Sequence, residues 1–373
     1  MLEFIEQELA ALKQANLYRS LKTIEKIEGS KIVIDGKELV NFCSNDYLGL
    51  SQHPKVKERA IEAIKEFGTG SRASRLVCGN TILHEQLEKK IAQFKGRESA
   101  IVFPTGYMAN VGTITSLVGE NDTIIIDRLN HASIIDACRL AKAKLQVYGH
   151  RDIVTLEAIL KRSAKFAKRL IVTDSLFSMD GDIAPLPDII KLAKEYNAIT
   201  MIDEAHSTGT LGKNGRGAEE HFNTEEQTDI VMGTLSKAIG SLGGFVAGSK
   251  PLIDYLRNKA RSFIYTTALP PASCAASLAA FEIIESDDSF LASLKHNEKL
   301  LKADTPIIPI ITHDAERTIT IARQLFERGL FVSGIRPPTV PEGESRLRIT
   351  VTAQHSKEEI ECLVSSLRQL IPA

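Results

Sequence analysis

From about residue 99 the chain alternates short apolar, β-rich runs with helical patterns. This alternation restricts the fold more than any other feature. The runs are SAIVF (99–103), TIIID (123–127), KLQVY (144–148), LIVTD (170–174), ITMID (199–203), DIVMG (229–233) and GFVAG (244–248). Helical periodicity fills most of the intervals, as at 131–142 and 186–196. Strand–helix alternation calls for right-handed crossovers, so an α/β fold is predicted: a seven-stranded, mostly parallel sheet with helices on both faces. The interval 233–244 is too short for a crossover helix and its turns. One of the last two strands is therefore expected to run antiparallel.

The flanks read differently. Leu2, Ile5, Leu9 and Leu12 recur at helical spacing, which predicts a helix over 2–14. KIVIDGKELV (31–40) predicts a hairpin turning at Asp35-Gly36. After Pro270-Pro271 come an Ala-rich helix (272–285), a strand (306–311), a helix (314–328), strands at 330–335 and 345–351, and a last helix from Ser356. Ser356 and Glu359 have the spacing of a capping box. The expected organisation is an N-terminal arm (1–41), a large domain (42–272) and a small C-terminal α+β domain (273–373).

Several function classes are disfavoured by composition. Formal net charge is -1 and the basic residues are scattered, which argues against nucleic acid or an anionic membrane surface as partner. No apolar run approaches the roughly 18 residues of a membrane span. Glu3, Glu6 and Glu8 stand where a signal peptide would be basic. Cys43, Cys78, Cys138, Cys274 and Cys362 lie far apart without a C-x-x-C pair. Neither a disulfide framework nor a metal site is expected, and a reducing cytoplasm fits.

In parallel α/β sheets ligands gather at the carboxyl ends of strands, and polar residues cluster in sequence at those positions. Lys237 lies in GTLSKAIG just past 229–233, flanked by Gly233, Thr234, Ser236, Ala238, Gly240, Ser241, Gly243 and Gly244. A surface lysine needs no such clearance; one whose amine bonds a flat ring does. Asp203 ends ITMID, where it could cap the next turn or face a protonated ring nitrogen. His206 follows three residues later. Strand 99–103 runs into Thr105, Gly106 and Tyr107 before a helical pattern, a turn that could cradle a phosphate together with Thr234. His131 could stack on a ring face and Ser178 could bond a phenolic oxygen. Pyridoxal phosphate would use all of these positions. Asp203-Glu-Ala-His206 also spells the DEAH of helicase-type ATPases, but no G-x-x-x-x-G-K-[ST] accompanies it.

With these residues in view, the chain closely resembles the α-oxoamine synthases, a branch of the fold-type-I pyridoxal-phosphate enzymes. The resemblance runs from about residue 16 to the C-terminus. It includes SNDYLGL (44–50), GTGSRASRLVCGNTILHEQLE (68–88), LNHAS, FSMDGD, DEAHSTG, GTLSKA, YTTALPP (265–271) and IRPPTVPEGESRLRIT (335–350). It implies Lys237 as the Schiff-base lysine, Asp203 at the ring nitrogen and His131 on the ring face. Ser178 and His206 would lie near the phenolic oxygen, and Gly106, Tyr107 and Thr234 around the phosphate. Arg348 would grip the amino-acid carboxylate, Asn45 and Arg19 would lie near the substrates, and Thr266 or Thr267 would reach the phosphate of a partner subunit in a homodimer with shared sites.

IRPPTVPEGESRLR and FIYTTALPPAS are most similar to the branch member that joins L-alanine to a pimeloyl thioester, carried by coenzyme A or by acyl carrier protein. Other members use glycine with acetyl- or succinyl-CoA, or serine with a long acyl-CoA. An aminotransferase would share Lys237 and Asp203 but would turn over with a keto acid. A degenerate regulatory subunit would have lost the lysine. One departure stands out: Arg72-Ala73 precede Ser74-Arg75 where relatives carry small residues, often glycine. Arg72 there is either a solvated cation or a contact for coenzyme A phosphates.

Overall fold

The computed structural model describes residues 2–371. It divides into two compact units, one of Leu50–Ser178 and Asp182–Leu291, the other of Met1–Gly49, Met179–Gly181 and Ala292–Ala373. These limits differ from boundaries at 41/42 and 272/273, and the packing gives the reason. The Ala-rich helix Pro271–Ser286 packs on the helices Pro54–Phe67 and Ile82–Phe94 of the larger unit. Strand Lys37–Asn41 pairs in parallel with Leu330–Phe331, which draws the first residues into the smaller unit.

The larger unit is built on seven strands: β1 (Ser99–Phe103), β2 (Thr123–Asp127), β3 (Lys144–Tyr148), β4 (Arg169–Asp174), β5 (Ile199–Asp203), β6 (Ile230–Thr234) and β7 (Gly244–Gly248). Their order across the sheet is β1-β7-β6-β5-β4-β2-β3. Strand β7 runs antiparallel to both neighbours, and the other pairings are parallel. The short 235–243 connection enforces this, because it can only turn back on itself: Leu235 N–H donates to Gly243 O at 2.9 Å and Gly240 N–H to Lys237 O at 2.8 Å.

Both faces of the sheet are buried, and strand alternation sorts the side chains between them. Ile124, Ile126, Leu170, Val172, Met201, Met232 and Val246 pack on one side with α1 (Gly106–Leu117) and α2 (Ala132–Ala141). Ile125 and Ile171 pack on the other with the helices Ile153–Arg162 and Leu186–Glu195. Full burial of each such aliphatic side chain contributes about 1.5–3 kcal/mol.

In the smaller unit the hairpin Lys31–Ile34/Lys37–Asn41 turns at Asp35 and Gly36, both with positive φ. The capping box of the last helix, Lys357–Leu370, is formed by Ser356 and Glu359. The expected strand at 330–335 is two strands in two sheets: Leu330–Phe331 joins the N-terminal sheet and Ser333–Ile335 pairs with Ser345–Thr350. A helix at Ser289–Leu300 has no counterpart in the sequence reading. Its buried residues include Asn297 and Glu298, which blur the apolar stripe. Asn297 is buried because its amide donates to Thr352 O and His355 O.

Candidate active site

The carboxyl ends of the parallel strands bring the chemistry together within the larger unit. Strands β4 and β5 end on Asp174 and Asp203, which lie opposite each other in the register. Both carboxyls are buried, each 3% exposed. Asp203 Oδ1 accepts the Ala205 N–H at 2.9 Å and Oδ2 accepts the Asn110 amide at 2.8 Å. One oxygen therefore caps the turn while the other is held by a helix. Burial, then the neighbouring Asp203, pushes the Asp174 carboxyl well above the usual carboxylate range.

Lys237 lies in the β6–β7 turn, with Nζ 2.8 Å from His206 Nε2. The small residues around it have local reasons to be small. A Cβ on Gly240 (φ +68°) would lie 2.4 Å from the Ser51 nitrogen, and one on Gly244 would lie 2.6 Å from the Gly106 backbone. Clearance around the lysine is thus partly clearance for the turn itself.

Helix α1 begins at Gly106, capped by Thr105 Oγ1, which accepts the Met108 N–H at 3.1 Å. The first N–H groups of a helix lack intrahelical acceptors, so those of Gly106 and Tyr107 are donors suited to a phosphate. A Cβ on Gly106 would lie 3.6 Å from Thr234 Cβ, so Thr234 borders the same helix end. The Thr234 hydroxyl donates to Gly243 O at 2.8 Å. Tyr107 is exposed, its hydroxyl donating to Asp136 at 2.7 Å.

His131 caps α2: its Nδ1 accepts the Ser133 N–H at 3.2 Å, and its backbone N–H donates to Asp174 Oδ2 at 2.8 Å. The ring is exposed. Desolvation of its inner side and the Lys237 charge lower its pKa against the pull of Asp203. Ser178 is half-buried at the end of its segment. Thr266 is half-buried and Thr267 exposed, and the Thr266 hydroxyl donates to Thr267 O at 3.4 Å rather than to this cluster.

The remaining predicted residues belong to the smaller unit. Arg348, 6% exposed on strand Ser345–Thr350, donates to Asn45 Oδ1 at 3.1 Å. The buried Tyr47 hydroxyl donates to the same oxygen at 3.2 Å. Arg19 is exposed, donating to Thr339 Oγ1 at 3.2 Å and Pro337 O at 3.4 Å.

Residues 37–367 match the family model of aminotransferase class I and II. An 8-amino-7-oxononanoate synthase of Citrifermentans bemidjiense is 48% identical, with 98% of this chain and 97% of that one covered. One of Thermoanaerobacter pseudethanolicus is 45% identical over 99% and 97%. The chain belongs to the 8-amino-7-oxononanoate synthase family. Among solved structures, a serine palmitoyltransferase of S. paucimobilis with bound PLP superposes at TM-score 0.94 with 31% identity, over 99% of this chain and 97% of that one. An 8-amino-7-oxononanoate synthase of Francisella tularensis gives 0.78 and 30%, over 89% and 97%. The chain is therefore a fold-type-I, pyridoxal-phosphate-dependent, acyl-transferring enzyme.

The residues present fit that cofactor. Asp203 is a buried carboxylate whose two hydrogen-bond donors are neutral, which suits a protonated ring nitrogen. Gly106 opens a helix N-terminus beside Thr234, which suits a phosphate. Asn110, Ser133 and Asp174 also belong to the cluster, and the sequence reading missed them. The available signals were the spacing of Asn110, one turn after Gly106, and the strand-end position of Asp174. The DEAH stretch splits in role: Glu204 is buried and ion-paired with Lys95 at 2.5 Å, holding the segment after Asp203 in place. Among the described residues no group of side chains suited to a metal ion occurs, and no helix is long and apolar enough to cross a membrane.

Proposed function

We propose that this chain condenses L-alanine with a pimeloyl thioester, releasing carbon dioxide and the free thiol and forming 8-amino-7-oxononanoate, a step of biotin biosynthesis. The observation that carries the reading is the Lys237–His206 contact at 2.8 Å, at the strand ends that hold Asp203, in a chain of this family. Pyridoxal phosphate, when bound, supplies an electron sink for the carbanion formed at the alanine α-carbon.

The side chains divide the remaining work. Lys237 would hold the cofactor covalently and, once released, take the α-proton, its amine kept in reach by His206. Asp203 would keep the ring nitrogen protonated. Gly106, Tyr107 and Thr234 would hold the phosphate, and Ser178 and His206 would sit at the phenolic oxygen. His131 would cover the ring and donate a hydrogen bond to the acyl oxygen, where negative charge develops. Arg348, oriented by Asn45 and Tyr47, would take the alanine carboxylate through its planar fork. Arg19 would lie near the acyl substrate. Thr266 or Thr267 would complete the phosphate site of a partner subunit, making the active form a homodimer. A cytoplasmic location is part of the proposal: the five cysteines stand far apart in the sequence without a C-x-x-C pair, which fits a reducing compartment.

The test is stoichiometry. L-alanine with pimeloyl-CoA or pimeloyl-acyl carrier protein should yield equal amounts of thiol and carbon dioxide. With alanine alone the α-proton should exchange with solvent slowly and little pyruvate should form. Abundant keto acid without any thioester would make the chain an aminotransferase. Preference for glycine with acetyl-CoA, or serine with a long acyl-CoA, would keep the branch and remove the alanine–pimeloyl assignment.

A further inference from the structure

The hydrogen bonds around His131 run in one direction. Asn110 is 1% exposed, one turn into α1. Its Nδ2 carries two hydrogens: one goes to Asp203 Oδ2 at 2.8 Å, the other to Ser133 Oγ at 2.9 Å. A carboxylate only accepts, so the amide must present its nitrogen to Asp203. Asn110 Oδ1 is left buried without a hydrogen-bond partner among the described residues, a destabilising arrangement that the two Nδ2 bonds have to offset.

Ser133, 1% exposed, accepts from Asn110, and its hydroxyl lies 2.8 Å from His131 Nδ1 with its own hydrogen still to place. The Ser133 backbone N–H reaches the same Nδ1 at 3.2 Å. Asp174 accepts the His131 backbone N–H at 2.8 Å and anchors the main chain there. A backbone N–H can only donate, so Nδ1 is an acceptor. The Ser133 hydroxyl, its oxygen already engaged by Asn110, has its hydrogen available to donate there too, and the single proton of the neutral ring belongs on Nε2.

We propose that Asn110 and Ser133 are positioning residues that lock His131 in its Nε2–H form, so that the ring presents a donor rather than a lone pair to the substrate. The proposal deepens, and rests on, the reading of His131 as the group that donates to the acyl oxygen. With the proton on Nδ1, the Nε2 lone pair would repel the developing charge that the reaction needs to stabilise. The low histidine pKa described above agrees with a neutral ring.

Long-range proton–nitrogen spectra of the holoenzyme labelled with nitrogen-15 histidine read the ring proton directly, His131 being assigned by its absence in His131→Gln. The expected pattern is a protonated Nε2 and an unprotonated Nδ1. In Asn110→Ala the Ser133 hydroxyl loses the donor that orients it, so the Nδ1–H form should gain population. There and in Ser133→Ala, kcat should fall at least about 10-fold, part of the roughly 100–10,000-fold that a positioned acid–base group supplies. Ser133→Thr, which keeps the hydroxyl, should restore both signal and rate. An Nδ1–H ring in the unmodified enzyme overturns the proposal and needs no variant to fold. So does a shifted tautomer with unchanged kcat, or an unshifted one in both alanine variants. The spectrum is independent of the reaction: no thiol release alongside an Nε2–H ring would sink the condensation reading while the tautomer assignment survives.

Discussion

At Lys237 a basic amine meets the imidazole nitrogen His206 Nε2 at 2.8 Å. A lysine held this way beside buried Asp203 is suited to a covalent cofactor. Borohydride treatment of the yellow holoenzyme should therefore fix the cofactor on the Lys237 peptide, and Lys237→Ala should abolish the attachment while other contacts retain the cofactor. Labelling of any other lysine, read by peptide mass spectrometry, would refute the assignment. Arg348 gives a second prediction. A charge-assisted contact contributes about 1.5–3 kcal/mol, so Arg348→Ala should weaken alanine binding about 10–150-fold with the cofactor band intact. Loss of the cofactor instead would assign Arg348 to structure. Lys237 and Asp203 stand out in the sequence because their types and positions at or just past strand ends are distinctive, and Arg348 stands out through the resemblance alone. Asn110 and Ser133 do not, since buried amides and hydroxyls acquire meaning only from the groups they touch.

Turns and strand ends are where individual elements carry strain or charge. Arg72 has φ +67°, a left-handed conformation that costs a non-glycine residue roughly 1–2 kcal/mol. Arg72→Gly should relieve that strain while adding about 0.4–1 kcal/mol of unfolded-chain entropy. A small net gain is expected as a raised urea midpoint, and a lower midpoint would mean that the guanidinium's bond to Phe67 O matters more. At the end of β2, His150 bridges Asp127 at 3.1 Å and Asp182 at 2.8 Å, with Arg151 also on Asp182. Burial alone would lower its pKa, but the hydrogen bonds to the two aspartates outweigh it and raise the value to about 9. Because the folded value is raised, the contribution to stability is complete below the ordinary histidine value of about 6.5 and is lost as pH rises through about 9. His150→Gln should flatten that alkaline loss of thermal stability. An unchanged slope would show the bridge to be neutral.

For the whole molecule the proposal is a homodimer. The helix Glu3–Gln14 has no buried residue, and Leu2 and Phe4 are 68% and 59% exposed. In the larger unit Val77 and Tyr265 are 78% and 72% exposed. In the proposed dimer a second copy could cover some of this apolar surface. Mixing Thr266→Ala or Thr267→Ala subunits with Lys237→Ala subunits should restore part of the activity that each lacks, through hybrid dimers with one intact site. If subunits shown to exchange recover none, the sites are not shared.

Much of this was legible in the sequence, for a physical reason that differs between elements. Strands β1, β2 and β4–β7 are buried on both faces and are written as apolar runs, whereas the edge strand β3, KLQVY, is partly exposed and shows its β character by residue type. That one of the last two strands reverses follows from chain length alone, because nine residues cannot cross over; that it is β7 is decided by the sheet pairing. The hairpin at Asp35-Gly36 and the Ser356 cap are local, set by residues a few positions apart. Asn110, Ser133 and Asp174 lie on three segments distant in sequence, and only the sheet register and the packing of α1 on α2 make them one network. The strand at 330–335 splits for the same reason: Leu330 is claimed by Val40, far back in the chain, and Ser333 by Arg348, close ahead. Side-chain chemistry and local spacing are written along the chain; which groups meet, and in which direction their protons point, is decided by tertiary contact.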